Sequence, residues 1–209
     1  LQVGLALRAS DLQRETLAAQ ALAERERALA PLVAGRGAVL VTGATGLLGR
    51  PVVARLRRDG WPVKAVARSV PPASAREAGI AYHGVDLSEP LPPELFEGVA
   101  MVVHCAAETA GGKDAHERNT IKATQNLIES AAAAGVKKFL HISSIAVLKT
   151  SKEVGGPLSE KTPVDFGNLG RGPYVWAKAE SERDVVAAGA RLGVDVRVAI
   201  ELLPERPDD

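Results

Sequence analysis

Aromatic residues make up only 3% of the sequence, too few to build the stacking platforms that bind single-stranded nucleic acid. Charge of one sign is also missing. The 26 basic residues against 25 acidic ones leave a net charge of +1, so no broad field draws the chain to nucleic acid or a membrane surface. The single cysteine, Cys105, excludes an intrachain disulfide, and a reducing cytoplasm is the expected setting. No apolar run approaches the roughly 18 residues that would span a bilayer. Leu1 to Leu7 is too short for a signal peptide and lacks its basic start. The four histidines, His83, His104, His116 and His141, show no metal-ligand spacing, so no metal site is expected. The chain starts on Leu1 rather than methionine, which is expected of a start that was processed, trimmed or cut from something longer.

What is present suits one sizeable α/β domain. Apolar residues reach 46% and charged residues 24%, ordinary values for a soluble chain able to bury a core. Residues 38–50 carry its organising pattern. Ala38 to Val41 is a short β-branched apolar run, as a central parallel strand requires. Gly43, Gly46 and Gly49 follow in GxxGxxG spacing. Glycines there allow a tight turn and leave no Cβ between the backbone and a ligand. The N–H groups and positive dipole end of the next helix would face a diphosphate, with Gly49 letting that helix pack closely on the strand.

Further along, apolar runs and breakers alternate. Residues 8–30 read as a helix ended by Pro31, expected to be a packing helix or linker, with a dimerising helix as the alternative. Residues 47–59 fit a helix with Pro51 in its first turn and Gly60 after it. Strands are expected at 63–67, 80–85, 99–105, 136–142 and 194–200, and further helices at 113–134 and 174–191, with a short helical stretch around Glu94 to Glu97. Lys149 to Pro173, rich in Gly, Pro and charge, reads as a loop. Tyr174 and Lys178, spaced i, i+4, share a helical face. Arg68, at the end of the second strand, stands where a dinucleotide fold that holds a ribose 2′-OH places an acid. Its planar fork suits a phosphate, and its alternative is a solvated loop charge.

With Thr42 in front, TGATGLLG resembles the cofactor loop of short-chain dehydrogenases/reductases, particularly their extended and atypical, epimerase/dehydratase-like branches. Asp86-Leu87, His104-Cys105-Ala106-Ala107, Asn119, Ser143-Ser144 and Tyr174-Val175-Trp176-Ala177-Lys178 follow in the family's order. The resemblance implies a Rossmann-type doubly wound parallel sheet of about six strands, order 3-2-1-4-5-6, and does not cover the extra helix in front. It divides the chain into residues 1–36, a helical segment or linker, and residues 37–209, the NAD(P)-binding domain. It implies an oxidoreductase that moves a hydride between NADP(H), or NAD, and a carbonyl or alcohol of a small molecule. The cofactor would be held by Gly43, Thr45, Gly46, Leu47, Gly49, Arg68, Asp86, Leu87, Ala106, Ala107, Tyr174 and Lys178. Asp86 would lie beside the adenine, though an Asp after a strand is otherwise a turn or cap residue.

The same resemblance implies Tyr174 as acid/base, Lys178 as its partner and ribose anchor, and Ser144 rather than Ser143 as the substrate orienter. Asn119 would support the active-site water and the lysine. A free phenol titrates near pH 10, and a neighbouring ammonium stabilises the phenolate. His104 is expected to be a satisfied structural histidine, and Trp176 to pack at the helix start. Ile145-Ala146 after Ser144 departs from the Asp-Glu pair of dehydratases, and Val147-Leu148-Lys149 from the V-Y-G of sugar epimerases. A nucleotide-sugar epimerase, or a binding module without turnover, is the alternative. Family members continue past the sixth strand with an Arg-Pro segment and a substrate subdomain. The chain's end at Asp209 is therefore expected of a piece of a longer polypeptide, fused to further domains.

Overall fold

The computed structural model describes residues 12–21, 23–24 and 37–201. Six strands form one sheet in the order β3-β2-β1-β4-β5-β6, every neighbouring pair parallel. They are β1 (Ala38–Thr42), β2 (Val63–Ala67), β3 (Ile80–Gly84), β4 (Val99–His104), β5 (Lys138–Ser144) and β6 (Asp195–Glu201). The expected order is observed, and the strand bounds shift by at most two residues. The first three strands step one way from β1 and the last three step the other. That leaves a crevice at the carboxyl ends of β1 and β4, where such sheets bind ligands. Register keeps those ends level, because Thr42 pairs with both Val66 and His104.

Alternation along each strand feeds two apolar layers. Leu40, Val66, Val102 and Phe139 point to one face. There they pack on Leu127 and Ile128 of α2 and Val185 of α4. Helix α2 runs through Lys113–His116, a π-helical segment Glu117–Lys122 and Ala123–Ala133, and α4 is Pro173–Leu192. Val39, Val41, Val63, Ala65 and Val103 point to the other face, against Val53 and Leu56 of α1 (Gly49–Arg58). Helix α1 carries Pro51 in its first turn, and Gly60 follows it at φ 77°, a left-handed stop open to glycine.

Residues 149–172 are more ordered than a loop reading expects. A Thr150–Glu153 capping box starts the short helix α3 (Ser151–Val154), and Leu148 bridges Val164 in antiparallel fashion. Of the expected 8–30 helix, the described residues 12–21 and 23–24 are helical, and the rest lies outside the described residues. Its Glu15 accepts the Ser74 hydroxyl at 2.7 Å, just beyond β2. Among the described residues no helix is long and apolar enough to cross a membrane.

Candidate active site

The glycine loop takes its shape from close backbone approach. Gly43 sits at φ 62°, and a Cβ there would lie 2.8 Å from the Ala106 amide nitrogen. A Cβ on Gly49 would overlap the Gly43 carbonyl oxygen, a backbone atom that cannot swing aside. Alanine normally stabilises a helix by up to about 1 kcal/mol over glycine. Gly49→Ala is expected to reverse that sign and destabilise by about 2 kcal/mol through overpacking, read as a lower urea midpoint. A stabilised variant would show that the loop does not need this contact. Helix α1 has no side-chain cap and no acid in its first turn, so no anionic side chain competes at its positive dipole end, while the Arg50 and Val52 N–H groups already donate to the Gly46 and Leu48 carbonyls.

A polar column below the loop fixes the neighbouring strand end. His104 is 1% exposed and lies between two threonines. Thr124 donates its hydroxyl proton to the Thr120 carbonyl at 2.6 Å, so it must accept from His104 Nε2, 2.9 Å away. Nδ1 is then the acceptor for the Thr42 hydroxyl at 2.6 Å, and that oxygen accepts the Ala106 N–H at 3.3 Å. The ring is neutral and fully used. Burial, and then the Lys178 charge, lower its pKa to about 3. The expected structural role of His104 is what the geometry shows, and the ring ties β1, β4 and α2 together beneath the cleft.

The cleft measures about 690 Å³. All twelve residues expected at the cofactor line it: Gly43, Thr45, Gly46, Leu47, Gly49, Arg68, Asp86, Leu87, Ala106, Ala107, Tyr174 and Lys178. Asn119 lines it too. Ser144 does not; its neighbour Ser143 does. Successive strand residues face opposite ways. Ser143 donates to Glu182 Oε2 at 2.5 Å on α4, whereas the Ser144 oxygen accepts the Ala146 N–H at 3.3 Å and caps the turn after β5.

Tyr174 and Lys178 lie one turn apart on α4. Lys178 is 3% exposed and donates to the Ile142 carbonyl at 2.5 Å, which draws the ammonium onto the end of β5. Tyr174 packs edge-on against the buried His116 ring, centroids 6.2 Å apart. Trp176 has Lys113 Nζ 5.2 Å from its ring centroid. Asp86 accepts from the Ser88 N–H at 2.9 Å and the Ser88 hydroxyl at 2.8 Å, and these bonds lower its pKa. It is therefore a turn residue that also borders the cleft.

Asn119 stands in the π-helical segment and donates to Glu108 Oε2 at 2.6 Å. That is the local bond a mid-helix asparagine calls for, and the amide meets Glu108 rather than the lysine. Sequence reasoning set Ser143 aside in favour of Ser144 and did not consider Glu108 or Glu182. Of the last two, Glu182 left a local signal, since Tyr174, Lys178 and Glu182 repeat every four residues along one helix face.

The NAD dependent epimerase/dehydratase family matches residues 39–201. Among curated relatives, UDP-glucose 4-epimerase of Vibrio cholerae is 30% identical over 168 residues, covering 76% of this chain and 49% of that protein. Divinyl chlorophyllide a 8-vinyl-reductase, a chloroplastic protein of Oryza sativa subsp. indica, is 32% identical over 144 residues, covering 63% and 35%. The solved structure of MoeE5 in complex with UDP-glucose and NAD superposes with a TM-score of 0.65 at 29% identity, over 78% of this chain and 53% of that one. The chain thus spans between about a third and about a half of these proteins' lengths.

Proposed function

The chain belongs to the NAD dependent epimerase/dehydratase family, and from that premise we propose that it carries out short-chain dehydrogenase/reductase chemistry on a small carbonyl or alcohol, with NADP(H) preferred over NAD(H). One observation carries the reading. A single cleft joins the glycine loop, Arg68, Asp86 and the Ala106-Ala107 backbone to Tyr174 and Lys178. The cradle suits a dinucleotide. Cβ atoms at Gly43 and Gly49 would strike backbone around the loop, and the positive dipole end of α1, with no acid in its first turn, suits a diphosphate. The neighbour MoeE5 was solved with NAD.

When bound, the nicotinamide supplies or accepts the hydride. This chain's residues do the rest. Tyr174 exchanges a proton with the substrate oxygen, and Lys178, fixed by the Ile142 carbonyl, stabilises the phenolate and reaches the cofactor ribose. Ser144 caps the turn after β5 outside the cleft lining, but its oxygen only accepts there, and its own hydroxyl proton is the one to orient a substrate oxygen at that strand end. Asn119 holds the cleft's opposite wall through Glu108. Residues 37–209 make up the cofactor-binding unit, and the lone Cys105 suits a reducing cytoplasm.

The preference for NADP rests on Arg68, which lines the cleft with its side chain 66% exposed and brings no acid of its own to the end of β2. Fluorescence titration with NADPH and NADH in parallel tests it. NADPH is expected to bind more tightly, and Arg68→Ala is expected to weaken NADPH about tenfold through loss of a charge-assisted pair while NADH moves little. Equal losses for both nucleotides would remove the 2′-phosphate from the reading. A nucleotide-sugar epimerase is the second reading, favoured by the likeness to the Vibrio cholerae epimerase.

A further inference from the structure

Glu108 follows the Ala106-Ala107 pair at the end of β4, and its carboxylate is fixed from several sides. Oε2 accepts the Asn119 amide at 2.6 Å. Oε1 accepts the Thr109 and Ala110 N–H groups at 3.1 and 3.2 Å, and the residue's own N–H donates to the Thr120 hydroxyl at 2.9 Å. The Asn119 bond, followed by the two backbone bonds, lowers its pKa, so the side chain is a carboxylate at neutral pH. It is 14% exposed and cannot swing away without breaking three bonds. Arg68 reaches toward it from the end of β2, Nη1 to Oε2 3.9 Å. Strand β1 lies between β2 and β4, so the pair crosses above the strand that carries the glycine loop. The other charged groups at this rim are Asp86 and Arg118, the latter donating to Asn119 Oδ1 at 3.0 Å.

We propose that Glu108 is a specificity-determining residue: held 3.9 Å from Arg68, its carboxylate shares the guanidinium with the 2′-phosphate of NADPH and narrows the chain's preference for NADPH over NADH. The inference rests on the dinucleotide reading of the cleft and adds a residue from a different strand to it. The physical basis is direct. A guanidinium already near a rigid carboxylate offers less net field to a phosphate dianion, and the carboxylate repels that dianion. NADH carries a neutral 2′-OH at that position and does not feel the difference.

Glu108→Gln keeps the shape and removes the charge. Titrated with NADPH and NADH, it is expected to bind NADPH about fivefold more tightly than the unmodified chain, the scale of an exposed ion pair, with NADH within about twofold. In Arg68→Ala the same Glu108→Gln change is expected to give a smaller gain, because only the direct repulsion of the phosphate is left to remove. Glu108→Asp, which draws the charge back by one methylene, is expected to move the ratio the same way by less, and serves if the glutamine variant does not fold. A purely structural Glu108 would weaken both nucleotides together and lower the melting temperature, leaving the ratio unmoved. An unmoved ratio overturns the inference while the cofactor reading stands. Binding of neither nucleotide by the unmodified chain overturns both.

Discussion

Replacing Tyr174 with phenylalanine is expected to lower the rate of NADPH-dependent carbonyl reduction by roughly 10²–10⁴-fold, the usual contribution of a positioned general acid. Dinucleotide affinity should change by less than about threefold. The structure separates those two outcomes. Phenylalanine keeps the ring that packs edge-on against His116, so the start of α4 and the wall of the cleft are retained. What disappears is the hydroxyl, the group that can give a proton to the carbonyl oxygen while the hydride adds to the carbonyl carbon. Lys178 remains tied to the Ile142 carbonyl and available to the cofactor ribose. Loss of a group that acts only as charge develops should appear in kcat far more than in binding. The measurement is the decay of nicotinamide absorbance with a panel of small ketones and aldehydes, alongside a binding titration. A phenylalanine variant as active as the unmodified chain would sink the proposed mechanism. A variant that loses binding and turnover in equal measure would instead assign Tyr174 to cofactor capture.

The sheet was legible because its signals are local. Each strand is a short β-branched run between breakers, and the glycine spacing after β1 marks where the first crossover begins. From those runs and the family likeness the order 3-2-1-4-5-6 follows. Most candidate cofactor residues fall on the cleft for the same reason, since the glycine loop, Arg68, Asp86-Leu87 and Ala106-Ala107 follow strands whose ends converge at the crevice, whereas Tyr174 and Lys178 reach it from α4. Contacts between distant segments were not. Thr42 and His104 are 62 residues apart, and Ser143 and Glu182 are 39 apart; no short-range pattern links either pair. The two serines show the difficulty most sharply. A motif alignment chooses Ser144, whereas strand alternation sends the two hydroxyls to opposite sides and leaves Ser143 on the cleft. Glu108 gave no signal either, because a single acid after a strand commonly reads as a turn residue, and its meaning comes from Arg68 two strands away.

The buried histidines dictate how the fold responds to acid. His104 has a native pKa near 3, set by burial and then by the Lys178 charge, against about 6.5 in the unfolded chain. His141, with no exposed surface, is lowered well below 6.5 by burial, then by Lys178 and by His104, whose ring centroid is 5.4 Å away. Both therefore stay neutral in the native state while the unfolded chain takes up protons as pH falls below 6.5. Protons bind the unfolded state preferentially, so stability is present above pH 6.5 and drains away on acidification. The carboxylates held low in the fold, Asp86 and Glu108 among them, act in the same direction but only once pH approaches their unfolded values near 4. The window from pH 6.5 to 4.5 consequently belongs to the histidines. At about 1.4 kcal/mol per pH unit once the unfolded imidazole is charged, His104 loses roughly 2 kcal/mol there and His141 adds to the loss in the same direction. Urea unfolding at pH 7 and pH 5 reads this directly. His141 makes the cleaner variant, because its ring nitrogens have no hydrogen-bond partner among the described residues, whereas His104 joins two threonines. His141→Leu is expected to cost less than about 1.5 kcal/mol at pH 7 and to make the acid slope shallower. An unchanged slope in that variant would mean that His141 is protonated in the native fold, with its charge met by a group from a neighbouring element.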